Sequence, residues 1–165
     1  MMRTKCIVFF FCSLLMLSAA AQEYKLEGNE VKITKEVKFK VGSVALLPES
    51  DEALLLVKKY LDDKSYISLL RIEVHTDNTG DAKANQLLSE KRAEAISDRL
   101  VALGVDCNRL LPVGFGGSKP VADNSTAEGK AQNRRVSFVN AALRGKAIGG
   151  MPTDGGGKVA VNPCK

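Results

Sequence analysis

The sequence contains no tryptophan, a single histidine and no apolar run long enough to span a membrane as a helix, and each shortage removes a class of function. His75 shares one stretch with Glu73 and Asp77. Alternate residues on one strand do not make a catalytic triad, and no second histidine or neighbouring cysteine completes a metal-ligand set. No enzymatic activity, cofactor or metal is expected. The Gly-rich segment after Gly145 lacks the Lys-Ser/Thr of a phosphate loop. Lysine and arginine form no concentrated stripe, which argues against nucleic acid as a partner. There is no internal repeat.

The chain does carry a secretory pattern at its start. Arg3 and Lys5 precede the apolar run Ile7 to Leu17, and small residues Ser18 to Ala21 follow. A charged start, an apolar middle and an Ala-x-Ala end predict a signal peptide over residues 1–21, cleaved before Gln22. The run of about 11 apolar residues falls short of the roughly 20 that a spanning helix needs. Cys12 follows three phenylalanines rather than the leucine and small residues of a lipoprotein signal, so no lipid anchor is expected. Loss of residues 1–21 takes away Arg3 and Lys5 and no acids, lowering the net charge from +5 to +3. Cys107 and Cys164 are then the remaining cysteines. In an oxidising compartment they either pair, closing a loop of nearly 60 residues, or stay as free thiols. Pairing would tether the tail and add roughly 4 kcal/mol on the chain-entropy estimate.

Residues 22–30 are short and polar and read as a disordered lead-in. Between 31 and 41 the apolar residues Val31, Ile33, Val37, Phe39 and Val41 occupy odd positions, the period of a strand. Pro48 and the acids after it open a helix to about Asp63. Leu70, Ile72 and Val74 alternate with Arg71, Glu73 and His75 in a strand that stops at Asp77-Asn78-Thr79-Gly80, a set of turn formers. A second helix is predicted from Ala82 to Leu103, with Gly104 as its C-terminal stop. A short strand over Leu110 to Phe115, a loop, one or two helical turns over 126–133 and a last strand over Arg134 to Leu143 complete the domain at 31–143. Residues 144–165 read as a flexible Gly-rich tail. The order βαβαββ fits an α+β fold with helices packed on one face of a mixed β-sheet.

The second helix holds an anomaly. With Leu88 at the origin and about 100° per residue, Ile96, Leu100 and Leu103 share one sector, and Arg92 falls within it at about 40°. A cation there requires a partner. Arg99 projects into the same sector, but lies further from the loop and is better placed to snorkel. The strand–loop–helix unit brings Asp77 and Arg92 toward one spot, and two readings stand: a receptor for a small zwitterion, or an internal Asp77–Arg92 salt bridge that closes the fold.

The blocks VHTDNTG, NQLLSEKRAEAI, LGVDCNRL and NRRVSF, in that order, resemble the OmpA-like C-terminal domain family, which includes peptidoglycan-associated lipoproteins and the wall-binding parts of flagellar stators. The resemblance spans about residues 36–143. It implies noncatalytic binding of peptidoglycan through the diaminopimelate of the stem peptide, in support of envelope integrity. Asp77 matches the family aspartate that accepts the ligand ammonium, and Arg92 the arginine that forks onto its carboxylate. Asn85 matches the family asparagine of the second helix's first turn and Arg134 the first arginine of NRR. Both are expected to hydrogen-bond the peptide, with capping of the loop or contact with another carboxylate as the structural alternative. Thr76 is expected to offer its backbone or hydroxyl beside the ligand. Two departures stand out: Val74 occupies a position where the family usually has glycine, and Lys40 follows Phe39 where some members carry an acid. The expected setting is the periplasm or cell envelope, where the wall alone or an outer-membrane protein partner holds the chain. The alternatives are a structural or adhesive envelope protein and, less favoured, a wall hydrolase.

Overall fold

The computed structural model describes residues 23–150, 154–161 and 164. The predicted signal peptide and its cleavage site before Gln22 lie outside the described residues.

The first element corrects the sequence reading. Instead of a disordered lead-in and one long strand, the chain forms a hairpin of β1 (Tyr24–Glu27) and β2 (Glu30–Ile33). Gly28 sits at φ +61° in the two-residue turn between them. Glycine at the first turn position gives the twist that antiparallel strands favour. β2 leaves the sheet after Ile33 because it pairs with a later strand, β5 (Val136–Leu143), only at Glu30 and Val31. The rest of the predicted strand becomes a loop with a single bridge between Phe39 and Leu46. Ser50, fully buried, holds that loop by accepting from the Lys38 amide and donating to the Lys38 carbonyl, both at 2.8 Å.

Helix α1 (Ser50–Asp63) and helix α2 (Ala82–Ala102) pack on the sheet face formed by Leu70, Ile72 and Val74 of β3 (Ile67–His75). Asp81 caps α2 by accepting from the Ala84 amide at 2.8 Å, which satisfies one orphan donor of the first turn. After α2 come a short 3-10 turn at Cys107–Arg109, β4 (Leu110–Gly116), α3 (Ala127–Asn133) and then β5. The tail is not a plain flexible segment: β6 (Lys146–Ala147) pairs with β5, and β7 (Lys158–Val159) pairs with β4 at Val113 and Gly114. The sheet order is β1-β2-β5-β3-β4-β7, with β3 and β4 parallel and the other pairs antiparallel. This is the α+β arrangement with a mixed sheet that the sequence implies. A disulfide joins Cys107 to Cys164 across a separation of 57 residues, so the pairing alternative holds.

The buried face of α2 differs from the wheel in detail. Its fully buried residues are Ser89, Ala93, Ile96, Ser97 and Leu100, while Leu88 and Leu103 are half-buried. Small residues set this face because β4 runs very close beneath it. A Cβ on Gly114 would meet the Glu90 amide nitrogen at 2.3 Å, and the Gly116 amide donates to Ser89 Oγ at 2.8 Å.

The polar side of β3 is also covered. Arg71, Glu73 and His75 are 8%, 4% and 2% exposed, so the strand is buried on both faces rather than half-wet. Arg71 Nε donates to Glu73 Oε1 at 2.7 Å and its Nη1 to the Gly150 carbonyl of the tail at 3.2 Å. The His75 ring stacks on Phe115 with centroids 4.8 Å apart, and Lys119 lies above the same phenylalanine. The lone histidine is therefore a packed structural group and not a solvated one.

Candidate functional site

The loop at the C-terminal end of β3 is built by its own side chains. Asp77 Oδ1 accepts from the Thr79 amide at 2.8 Å, closing an Asx turn. Gly80 then adopts φ +86°, which lets the chain enter α2. Asn85 Nδ2 donates to the Thr79 carbonyl at 2.8 Å, so this asparagine caps the loop, as its structural alternative held. Asn124 and the buried Asn133 brace the loop from outside: Asn124 Oδ1 accepts from the Asn78 amide at 3.3 Å and from Asn133 Nδ2 at 2.9 Å. Thr76 faces inward, its hydroxyl donating to the Asp77 carbonyl at 2.9 Å and its amide to the Gly116 carbonyl at 2.8 Å.

Asp77 and Arg92 do not form a salt bridge. Asp77 instead accepts from Arg134 Nη1 at 2.5 Å, with the Asp77 side chain 11% and the Arg134 side chain 54% exposed. Burial would raise the Asp77 carboxyl, but the Thr79 amide and the Arg134 guanidinium outweigh it and hold the group below its ordinary value. Asp77 is thus an anion at neutral pH.

Arg92 has different surroundings. Its Nε donates to the Ser43 carbonyl at 2.9 Å, and its guanidinium lies 4.7 Å from the centre of the Phe39 ring. No carboxylate contacts it among the described residues. Burial pushes its pKa down from the usual arginine value. Arg99, the other cation of that sector, is satisfied by Asp51 through a two-point pair at 2.8 and 2.6 Å. The wheel could not distinguish the two arginines; their partners do.

Arg92 lines a cavity of about 310 Å³ together with Phe39, Val74, Arg134, Arg135 and Val136. Three guanidiniums thus share one hollow with apolar walls. Val74, the departure from glycine, forms part of that wall. Asp77 and Asn85 line a separate groove with Asn78, Gly117 and Phe115. Arg134 connects the two spaces, because it lines Arg92's cavity while holding Asp77. Sequence reasoning overlooked Phe39 and Arg135. The NRR block contained a signal for Arg135, while the position of Phe39 beneath a guanidinium depends on a bridge that no local pattern encodes.

Residues 38–134 match the OmpA family. This chain belongs to it. The outer-membrane lipoprotein YfiB of Pseudomonas aeruginosa is 38% identical over 117 residues, covering 71% of this chain and 69% of that protein. Among solved structures, the peptidoglycan-associated lipoprotein from Burkholderia pseudomallei superposes with a TM-score of 0.56 at 31% identity, over 64% of this chain and 88% of the other. The cell wall anchor of the T6SS from Pseudomonas aeruginosa gives 0.60 at 30% identity, over 74% and 90%. This OmpA-family chain spans 57% and 30% of the length of two further relatives that it matches. Among the described residues no helix is long and apolar enough to cross a membrane.

Proposed function

We propose that this OmpA-family chain is a noncatalytic wall-binding module of the cell envelope that grips peptidoglycan through the diaminopimelate of its stem peptide. The observation that carries this reading is the state of Arg92: a half-buried guanidinium on an aromatic face, with no carboxylate beside it among the described residues. A buried cation left unneutralised by its own chain is costly, and its planar donors match a carboxylate. The free end of diaminopimelate offers that carboxylate and an ammonium on one carbon. Asp77, ionised and linked to that cavity through Arg134, is the complementary anion.

Arg134 gives the exchange a mechanism. In its pair with Asp77 the Arg134 side chain is 54% and the Asp77 side chain 11% exposed, so solvent on the arginine side weakens the contact and it contributes about 1 kcal/mol. An incoming ammonium takes over Asp77, and the released Arg134 joins Arg92 on the ligand carboxylate. Asn85 and Thr76 act mainly by shaping the loop. The names of the lipoprotein from Burkholderia pseudomallei and of the cell wall anchor from Pseudomonas aeruginosa support the same reading. An outer-membrane protein partner would add retention at the envelope without altering this site.

The test is sedimentation with purified, protein-free sacculi, comparing the mature protein with folded Asp77→Ala and Arg92→Ala variants. Co-sedimentation of wild type with loss in both variants is the expected result. If wild type stays in the supernatant, or both folded variants pellet as well as it does, the structural reading takes its place.

A further inference from the structure

A second cavity adjoins the one that holds Arg92. It opens where β2 and the start of β5 separate, since their pairing ends at Val31 and Phe138. Its volume is about 500 Å³, and Lys32, Lys35, Phe138 and Ala131 contribute to its lining. Val37, Arg134, Arg135 and Val136 line both cavities. The two spaces therefore meet at a common wall that carries two guanidiniums.

Four cations and two acids line this cleft, and Arg134 is already paired with Asp77. Lys32, Lys35, Arg134 and Arg135 face Glu30 and Glu36. Lys32 pairs with Glu30 at 2.7 Å, and Lys35 reaches away to Glu52 at 2.9 Å. Arg135 has no ion pair among the described residues: its Nη1 and Nη2 donate to the main-chain carbonyls of Asn133 and Lys119 at 3.4 and 3.2 Å. A half-buried guanidinium that holds only long carbonyl contacts is suited to a carboxylate, which offers two short charge-assisted bonds.

We infer that this cleft is an extension subsite for a second carboxylate of the same wall peptide. Arg135 is its shared recogniser, and Lys32 and Lys35 are its outer cations. The inference rests on the wall-binding reading above, because its ligand is the peptide whose diaminopimelate fills the first cavity.

The experiment is calorimetric titration of the mature protein with two probes: free meso-diaminopimelate, which reaches the first cavity alone, and a muramyl tripeptide that ends in diaminopimelate and carries a further carboxylate. The variant is Lys32→Gln with Lys35→Gln, both outside the first cavity. Wild type is expected to bind the tripeptide more tightly than diaminopimelate. The double variant is expected to keep its diaminopimelate affinity and to lose about fivefold for the tripeptide, as two partly solvated contacts predict. Equal losses for both probes, or none for the tripeptide, overturn the subsite. Wild type that binds diaminopimelate without any gain for the tripeptide overturns the subsite alone. Wild type that binds neither overturns the wall-binding reading together with it.

Discussion

Arg134 Nη1 stands 2.5 Å from Asp77 Oδ2, and this contact occupies the acid that one of the two sequence readings paired with Arg92. Asp77 is thus satisfied within the chain, while Arg92 has no counter-ion among the described residues. On the proposed reading, binding is an exchange of partners and not the filling of an empty charge pair.

The exchange makes Arg134→Ala informative. Arg134 is half-exposed and Asp77 nearly buried, so loss of the pair is expected to lower stability by about 1 kcal/mol. Loss of a charge-assisted bond to the ligand, about 1.5–3 kcal/mol, is expected to weaken sacculus binding at least tenfold. Urea unfolding and sedimentation measure the two separately. Unaltered sedimentation would remove Arg134 from the site.

Gly114 is expected to tolerate no side chain. An added Cβ would lie 2.3 Å from the Glu90 amide nitrogen and 2.7 Å from its Cα, both main-chain atoms of α2. Gly114→Ala must push α2 off β4, at a cost of roughly 1–3 kcal/mol, read as a lower urea midpoint. An unchanged midpoint would mean that α2 shifts more freely than its packing implies.

His75 gives stability a pH dependence of predictable sign. Burial depresses its pKa below 6.5, Arg135 and Lys119 act in the same direction, and Glu73 opposes them. The unfolded chain therefore takes up a proton at His75 before the folded chain does. The contribution is complete above the unfolded value near 6.5 and declines as pH falls toward the folded value. It amounts to about 1.4 kcal/mol for each pKa unit of depression. Urea midpoints are expected to drop from about pH 7.5 to about pH 5.5, over the range where unperturbed histidine titrates. In His75→Gln that part of the slope should vanish; the same slope in the variant would assign it to other groups.

Reduction tests the tail. The Cys107–Cys164 bond closes a loop spanning 57 residues, and its loss should lower stability by about 4 kcal/mol on the chain-entropy estimate. Cys164→Ser should match reduced wild type and should deprotect the Val113 and Gly114 region in hydrogen exchange, because β7 leaves the β4 edge. Equal protection in both would show that strand pairing alone holds the tail.

Local patterns were enough for the central βαβ unit. Alternation in Leu70 to Val74, turn formers after Asp77 and helical spacing to Leu100 placed β3, the loop after it and α2 within a few residues of where they lie. These signals are carried by neighbours in the chain, and sequence displays them directly. The β1–β2 hairpin was missed, because four residues per strand around Gly28-Asn29 make a weak signal. The choice of partners was not legible. Whether Asp77 meets Arg92 or Arg134 depends on β5 lying beside β3, and whether Arg92 rests on Phe39 depends on a loop pinned by Ser50. Likewise, β3 alternates as a half-exposed strand would, yet both its faces are buried, because Phe115 and the tail close over His75, Glu73 and Arg71. Periodicity records which way a side chain points relative to its neighbours; what it meets there is set by segments far away in the chain.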